Sequence, residues 1–200
     1  MVAMKNSYRL IFSAFFLAVL FASTAAPIIP LTGMQTREQI SNQAGTIAAS
    51  TATIVNLDGT YQYGVIQQPK GKAGFVSTET DKLTQFSLAG KYGSQGFLAH
   101  NYLAGAAFFD LEVGSLITIV YADGHLVNYE VQAVRRFQAI MPTSATTNFL
   151  DLDNNNAKLS TKQVFMQTYG LKDHLILQTC IANEKELSWG RLFIIATPVE

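Results

Sequence analysis

The clearest alternation of apolar and polar positions lies at 127–132, where Val127, Tyr129 and Val131 alternate with Asn128, Glu130 and Gln132. A period of two marks a strand with one buried and one wet face. Short apolar runs of similar length recur around it. The expected strands are Thr53–Leu57, Tyr61–Gln67, Gln85–Leu88, Gly96–Ala99, Leu116–Tyr121, Leu126–Val134, His174–Ile181 and Arg191–Thr197. Asp58-Gly59, Gly71, Gly74, Gly93, Gly114 and Asp123-Gly124 punctuate these runs, and Ala122-Asp123-Gly124-His125 is a hairpin signal. Ala104–Glu112 reads as a short helix or turn that contributes Phe108, Phe109 and Leu111, and Asp151–Asn156 as a polar loop. Many short strands in one domain predict a mostly β fold: a closed or nearly closed antiparallel β-barrel of about eight strands, with short helices in the connections.

A different pattern opens the chain. Lys5 and Arg9 precede an almost unbroken apolar stretch, Leu10–Ala22, and the small residues Ser23-Thr24-Ala25-Ala26 follow it. Residues 1–26 therefore read as a signal peptide cut near Ala25, or as an uncleaved N-terminal membrane anchor with the body of the protein outside. Residues 27–52, rich in Ser, Thr, Gln, Ala and Gly and without a period, read as a flexible spacer. That leaves 53–200 as the folded domain, and Glu200 follows the last expected strand so closely that no C-terminal anchor is expected.

Composition narrows the function. An apolar fraction of 48% in 200 residues supports one domain with a proper core. Formal net charge is zero and no block of Lys or Arg recurs, which excludes an electrostatic nucleic-acid binder. The chain holds one cysteine, Cys180, at the end of the run Leu175-Ile176-Leu177-Gln178-Thr179-Cys180. In an exported protein such a thiol has no intramolecular partner, so it is either used or buried as an inert core residue. One cysteine with one histidine lacks a metal-ligand set, and Asp151–Asp153 lacks the spacing of a calcium loop. Neither metal nor cofactor is expected.

A thiol enzyme needs a base and a group that stabilises negative charge. Eleven residues after Cys180, Arg191 opens the apolar run Arg191-Leu192-Phe193-Ile194-Ile195-Ala196. His100 lies upstream in Gly96-Phe97-Leu98-Ala99-His100-Asn101-Tyr102. Two other histidines compete with it. His125 falls in the hairpin turn, and His174 opens the cysteine strand, some 20 Å from Cys180 along an extended chain. Geometry favours His100. Arg135-Arg136 reads as a solvated strand end.

These pieces resemble the sortase family. Leu177, Thr179 and Cys180 match its Thr-Leu-x-Thr-Cys strand, and Arg191–Ala196 is similar to its arginine-led final strand. Phe97–Asn101, followed by Phe108/Phe109, Leu111 and Val113-Gly114-Ser115-Leu116-Ile117, is similar to its histidine segment. The chain departs from the family pattern at Ile176, Ser115 and Ala99, none of which supplies a catalytic atom. The resemblance covers about Leu57 to Thr197 and implies Cys180 as nucleophile, His100 as general acid/base and Arg191 as stabiliser of the oxyanion or of bound substrate. With it, Thr179 and Asn101 become candidates to orient His100 or line the groove. Trp189, on an expected loop Ala182–Gly190, becomes either a substrate wall or a packing residue.

The activity so implied is a cysteine transpeptidase. It would cleave a sorting motif near the C-terminus of an exported protein through a thioester on Cys180 and pass the acyl group to an amine of the cell envelope. The enzyme would work at the outer face of the cytoplasmic membrane or in the envelope, held to the membrane by the N-terminal segment if that is not cleaved. A thiol hydrolase on the same scaffold, and a non-catalytic envelope β-barrel with a buried cysteine, are the alternatives.

Overall fold

In the computed structural model, residues 51–144 and 146–199 are described, so the expected signal or anchor segment, and the spacer up to residue 50, lie outside the described residues. Ten strands follow in order: β1 Ala52–Leu57, β2 Tyr61–Gln67, β3 Lys82–Gln85, β4 Gln95–Leu98, β5 Leu116–Tyr121, β6 Leu126–Ala139, β7 Phe149–Asp151, β8 Ala157–Leu159, β9 Leu175–Asn183 and β10 Glu186–Val199. Their order in the sheet is β10-β9-β4-β3-β2-β1-β5-β6-β7-β8, and a further pairing of β10 with β6 closes eight of them into a barrel. The hairpin β7–β8 extends the sheet beyond β6.

The barrel is mixed, not purely antiparallel. β2 runs parallel to β3, and β4 parallel to β9. Neither pair is joined by a short turn. Residues 68–81 cross over between β2 and β3, and β4 meets a strand from far along the chain, so no hairpin dictates strand direction.

Most expected strands lie where the apolar pattern puts them, and β7 and β8 are strands the pattern did not mark. The strand expected at Gln85–Leu88 is instead β3 at Lys82–Gln85, and Ser87–Gly90 turns into a short helix. A second helix, Thr161–Gln167, occupies a stretch where no element was expected; Ser160 accepts from the Gln163 backbone N–H while Gln163 accepts from that of Ser160. Arg135 and Arg136 are not at a solvated strand end, because β6 continues to Ala139. Arg135 pairs at 2.6 Å with the buried Asp151, and Arg136 with Asp153 at 3.2 Å. The polar loop expected from Asp151 therefore starts one residue later, since Asp151 is the last residue of β7.

Period-two alternation separates two apolar clusters. Phe97, Ala99, Leu175, Leu177, Leu192, Ile194 and Ala196 fill the barrel interior. Leu98, Ile176, Phe193 and Ile195 point to the other face, where Phe86, Phe137, Val164, Phe165 and Tyr169 cover them. Strands buried on both faces read as near-continuous apolar runs, which is why β9 and β10 are so apolar. That outer layer is the floor on which the candidate site stands.

Candidate active site

Two strand registers bring Cys180, Arg191 and His100 to one place. Cys180 lies directly opposite Arg191 in the antiparallel β9–β10 pair. In the parallel β4–β9 pair Gln95 faces Leu175 and Leu98 faces Gln178, so continuing the register sets His100 level with Cys180. Side chains two residues apart share a face. His100 shares the face of Leu98, Cys180 that of Ile176, and Arg191 that of Phe193, all members of the outer cluster. The three candidates therefore stand on the outer face at one end of the β4–β9–β10 sheet, on neighbouring strands spaced ~4.8 Å apart.

Each is held by a different set of contacts. Arg191 is 5% exposed, and its Nη1 donates to the carbonyls of Ser188 (2.9 Å) and Gly190 (2.7 Å). Among the described residues, Nε and Nη2 donate to no protein acceptor. The cysteine thiol is half-buried and free. Burial pushes it above its ordinary value near 9.0; the Arg191 guanidinium pulls it down and the Glu186 carboxylate pushes it up again. Burial holds the half-buried His100 below its ordinary value near 6.5, opposed by the nearby Val76 backbone, which favours the protonated ring. Exposed Tyr102 stacks on the His100 ring at 5.2 Å.

The backbone around His100 is tied to β9. Thr179, 2% exposed and on the barrel-interior side, donates its hydroxyl to the Ala99 carbonyl at 2.9 Å. The His100 carbonyl accepts from the N–H groups of Leu103 and Gly105, both at 3.0 Å. A Cβ on Gly105 would lie 2.4 Å from the Thr179 hydroxyl and 2.7 Å from the His100 carbonyl, so only glycine fits there. Of the two roles considered for Thr179, this placement suits orienting His100 rather than lining a groove.

The connection Ala182–Gly190 is not the loop expected from the sequence. β9 runs to Asn183, β10 starts at Glu186, and Glu184 takes the left-handed conformation (φ 52°) the tight turn needs. Within the hairpin Leu187, Ser188 and Trp189 stand against the single residue Ala182. Such a bulge turns backbone groups out of the ladder. The Leu187 carbonyl accepts from Asn101 Nδ2 at 3.3 Å, and the Ser188 carbonyl from Arg191. Asn101 thus links the His100 segment to the start of β10. Half-buried Trp189 belongs to the bulge in β10. Gly190 was the available signal: a Cβ there would meet the Phe137 carbonyl at 2.8 Å, and an isolated glycine in a strand marks such close approaches.

The rival histidines lie elsewhere. His125 stacks on Tyr121 at 4.1 Å in the β5–β6 hairpin and meets Asp123. His174 precedes the opposite end of β9, with Nδ1 bonded to the Lys172 carbonyl at 2.7 Å. Among the described residues no group of three or more His, Cys, Asp or Glu side chains is placed to hold a metal ion. No described helix is long and apolar enough to cross a membrane.

No protein-family model and no curated protein sequence matches the chain. Solved structures similar to it are sortases. Sortase A from Corynebacterium diphtheriae, a lid mutant, is 16% identical with a TM-score of 0.46, over 86% of this chain and 84% of that one. Sortase A from Listeria monocytogenes is 10% identical with a TM-score of 0.46, over 76% of this chain and 88% of that one. Sortase C from Clostridium perfringens SM101 is 10% identical with a TM-score of 0.45, over 76% of this chain and 72% of that one. These likenesses assign no role to any residue.

Proposed function

We propose that this chain is a sortase-like cysteine transpeptidase that acts on exported proteins. The observation that carries the reading is the shared outer face of His100, Cys180 and Arg191, level with one another where β4 ends beside β9 and β10. With the ring held below its ordinary value and the thiol above its own, both groups are neutral near neutral pH. Attack then moves the thiol proton to His100 as sulfur bonds the scissile carbonyl carbon. Arg191, whose Nε and Nη2 donate to no acceptor among the described residues, stabilises the oxygen that becomes negative. As the carbon–nitrogen bond breaks, His100 returns the proton to the leaving amine and a thioester remains on Cys180. An acceptor amine attacks the thioester, gives its proton to His100 and releases the sulfur, which takes that proton back.

The donor in this reading is a C-terminal sorting motif, and the acceptor is an amine of the cell envelope. Residues 1–26 would address the enzyme to the outer face of the membrane. The test is capture of an acyl-enzyme by intact-mass spectrometry after incubation with a peptide library of C-terminal motifs, with and without hydroxylamine. We expect a Cys180 adduct that hydroxylamine converts to a hydroxamate, and none from Cys180→Ala. Full turnover by Cys180→Ala would end the proposal. Release of free acid regardless of added amine would make the protein a hydrolase instead.

A further inference from the structure

On the outer face of β9 the side chains follow one another as Ile176, Gln178 and Cys180. Ile176 is fully buried between Gly96 of β4 and Ile195 of β10. Gln178 lies between the buried Leu98 and Phe193, and it is the first of the three that solvent reaches. Tyr169 holds it from below. That ring is 2% exposed and packs edge-on against Phe86 (5.0 Å) and Phe193 (5.9 Å). It lies so close over Gly96 that a Cβ there would come within 2.7 Å of it. From this position the Tyr169 hydroxyl donates to Gln178 Oε1 at 2.8 Å. A buried hydroxyl needs an acceptor, so the amide is fixed with its oxygen towards Tyr169 and its NH2 turned away. Among the described residues that Nε2 donates to no acceptor, and the side chain is partly open to solvent.

We propose that Gln178 is a specificity-determining residue: its Nε2 donates to an acceptor oxygen on a side chain of the donor peptide, beside the scissile bond. This deepens the transpeptidase reading and rests on it. Cys180 stands two residues further along the same face, about 7 Å away. A peptide with its scissile carbonyl at the thiol therefore brings its neighbouring side chains within reach of Gln178. Its backbone cannot run on over Ile176, because Tyr169 and Phe165 cover that part of the face, whereas a side chain can end there. Leu98 and Phe193 give such a side chain apolar walls, and the locked amide gives it one donor. An apolar pocket with one placed polar group selects through that group, since an apolar mimic leaves it unpaired.

The test is competition between paired donor peptides on the full chain, read by mass spectrometry of the Cys180 adducts and the released amines. Peptides captured from the library of C-terminal motifs are remade with O-methylserine or norvaline at each position flanking the cleaved bond. The two side chains have the same shape; the first carries an acceptor oxygen, and neither carries a donor. The parent should favour the O-methylserine peptide at one of these positions by about 3- to 10-fold, the worth of one hydrogen bond. Gln178→Leu should abolish the preference. Gln178→Glu, which still accepts from Tyr169 but cannot donate as a carboxylate, should reverse it. Tyr169→Phe leaves the amide free to turn and should weaken it. Where Gln178→Leu or Tyr169→Phe fails to fold, Gln178→Glu decides. Equal capture of both peptides by the parent, or a preference that survives in Gln178→Glu, would overturn the inference and leave the transpeptidase reading standing. No adduct from any peptide would instead end that reading, and this inference with it.

Discussion

Cys180 and Arg191 sit inside a long antiparallel pair, whereas His100 follows the end of a four-residue strand. The first two are placed by the backbone: β9 and β10 are zipped from Leu175–Ala196 to Cys180–Arg191, and β10 is zipped again to β6 on its far side. A slip of one residue would turn every side chain on these strands to the wrong face, so the apolar pattern protects the pairing. His100 is placed by a side chain and loop N–H groups: Thr179 on the Ala99 carbonyl, Leu103 and Gly105 on its own carbonyl. One half of the site is a property of the barrel, while the other is assembled from separate contacts. Distant substitutions should therefore disturb His100 far more readily than the thiol and guanidinium.

Arg191→Ala gives the largest effect on the rigid half short of removing the thiol. Loss of one group that stabilises an oxyanion lowers kcat by about 10²–10³-fold. It should leave the Ser188 and Gly190 carbonyls without their donor, yet keep β9 and β10 paired, since their register rests on the backbone. Steady-state kinetics together with the His100 NMR signals check this. A shifted His100 environment in Arg191→Ala would contradict the separation of the two halves.

The assembled half should break more easily. Thr179→Val keeps the volume and strips the Ala99 carbonyl of its buried donor, at a cost of about 1–3 kcal/mol. Gly105→Ala forces a Cβ against the Thr179 hydroxyl and the His100 carbonyl, and overpacking of this kind costs about 1–3 kcal/mol. Urea unfolding reads both losses. In each variant His100 should shift in NMR while the labelling rate of Cys180 by a small thiol reagent stays near that of the parent. A labelling rate that changes as strongly as the His100 signals would show the two halves to be one unit.

The same division explains what could be read from the residues alone. β9 and β10 are legible because apolar side chains fill both faces, and their closing pair could be anticipated from Cys180 and Arg191. The helix Thr161–Gln167 carried a signal in Ser160-Thr161-Lys162-Gln163, the spacing of a capping box, but its apolar face is too short to show a period. Arg135 and Arg136 looked solvent-bound because their partners, Asp151 and Asp153, arrive only when β7 folds against β6. Gln68 gave no sign at all: a polar residue in a Gly- and Lys-rich stretch becomes a buried anchor only once the crossover returns over it. Pairwise register leaves a periodic trace in a sequence; contacts between loops do not.

The smallest expected effect is on stability against pH, and it separates the halves without any substrate. The unfolded chain protonates His100 near pH 6.5, the folded chain only at lower pH. Between those values the unfolded state holds the extra proton, so acid favours unfolding as pH falls from 6.5 to the folded value; above 6.5 the two states are alike. Cys180 acts at the other end. Its thiol ionises first in the unfolded chain, near 9.0, and later in the folded one, so stability falls as pH rises from 9.0 towards the folded value. Urea midpoints of the parent, His100→Asn and Cys180→Ser across about pH 5 to 10 check both slopes. The acid slope should vanish in His100→Asn and flatten in Thr179→Val, where a loosened segment lets water reach the ring. The alkaline slope should shrink in Cys180→Ser to the part left by Tyr129 and Tyr169, whose burial likewise holds them above their ordinary value of 10.0, and survive unchanged in Thr179→Val, because β9 and β10 keep the thiol buried beside Arg191 whether or not His100 stays in place.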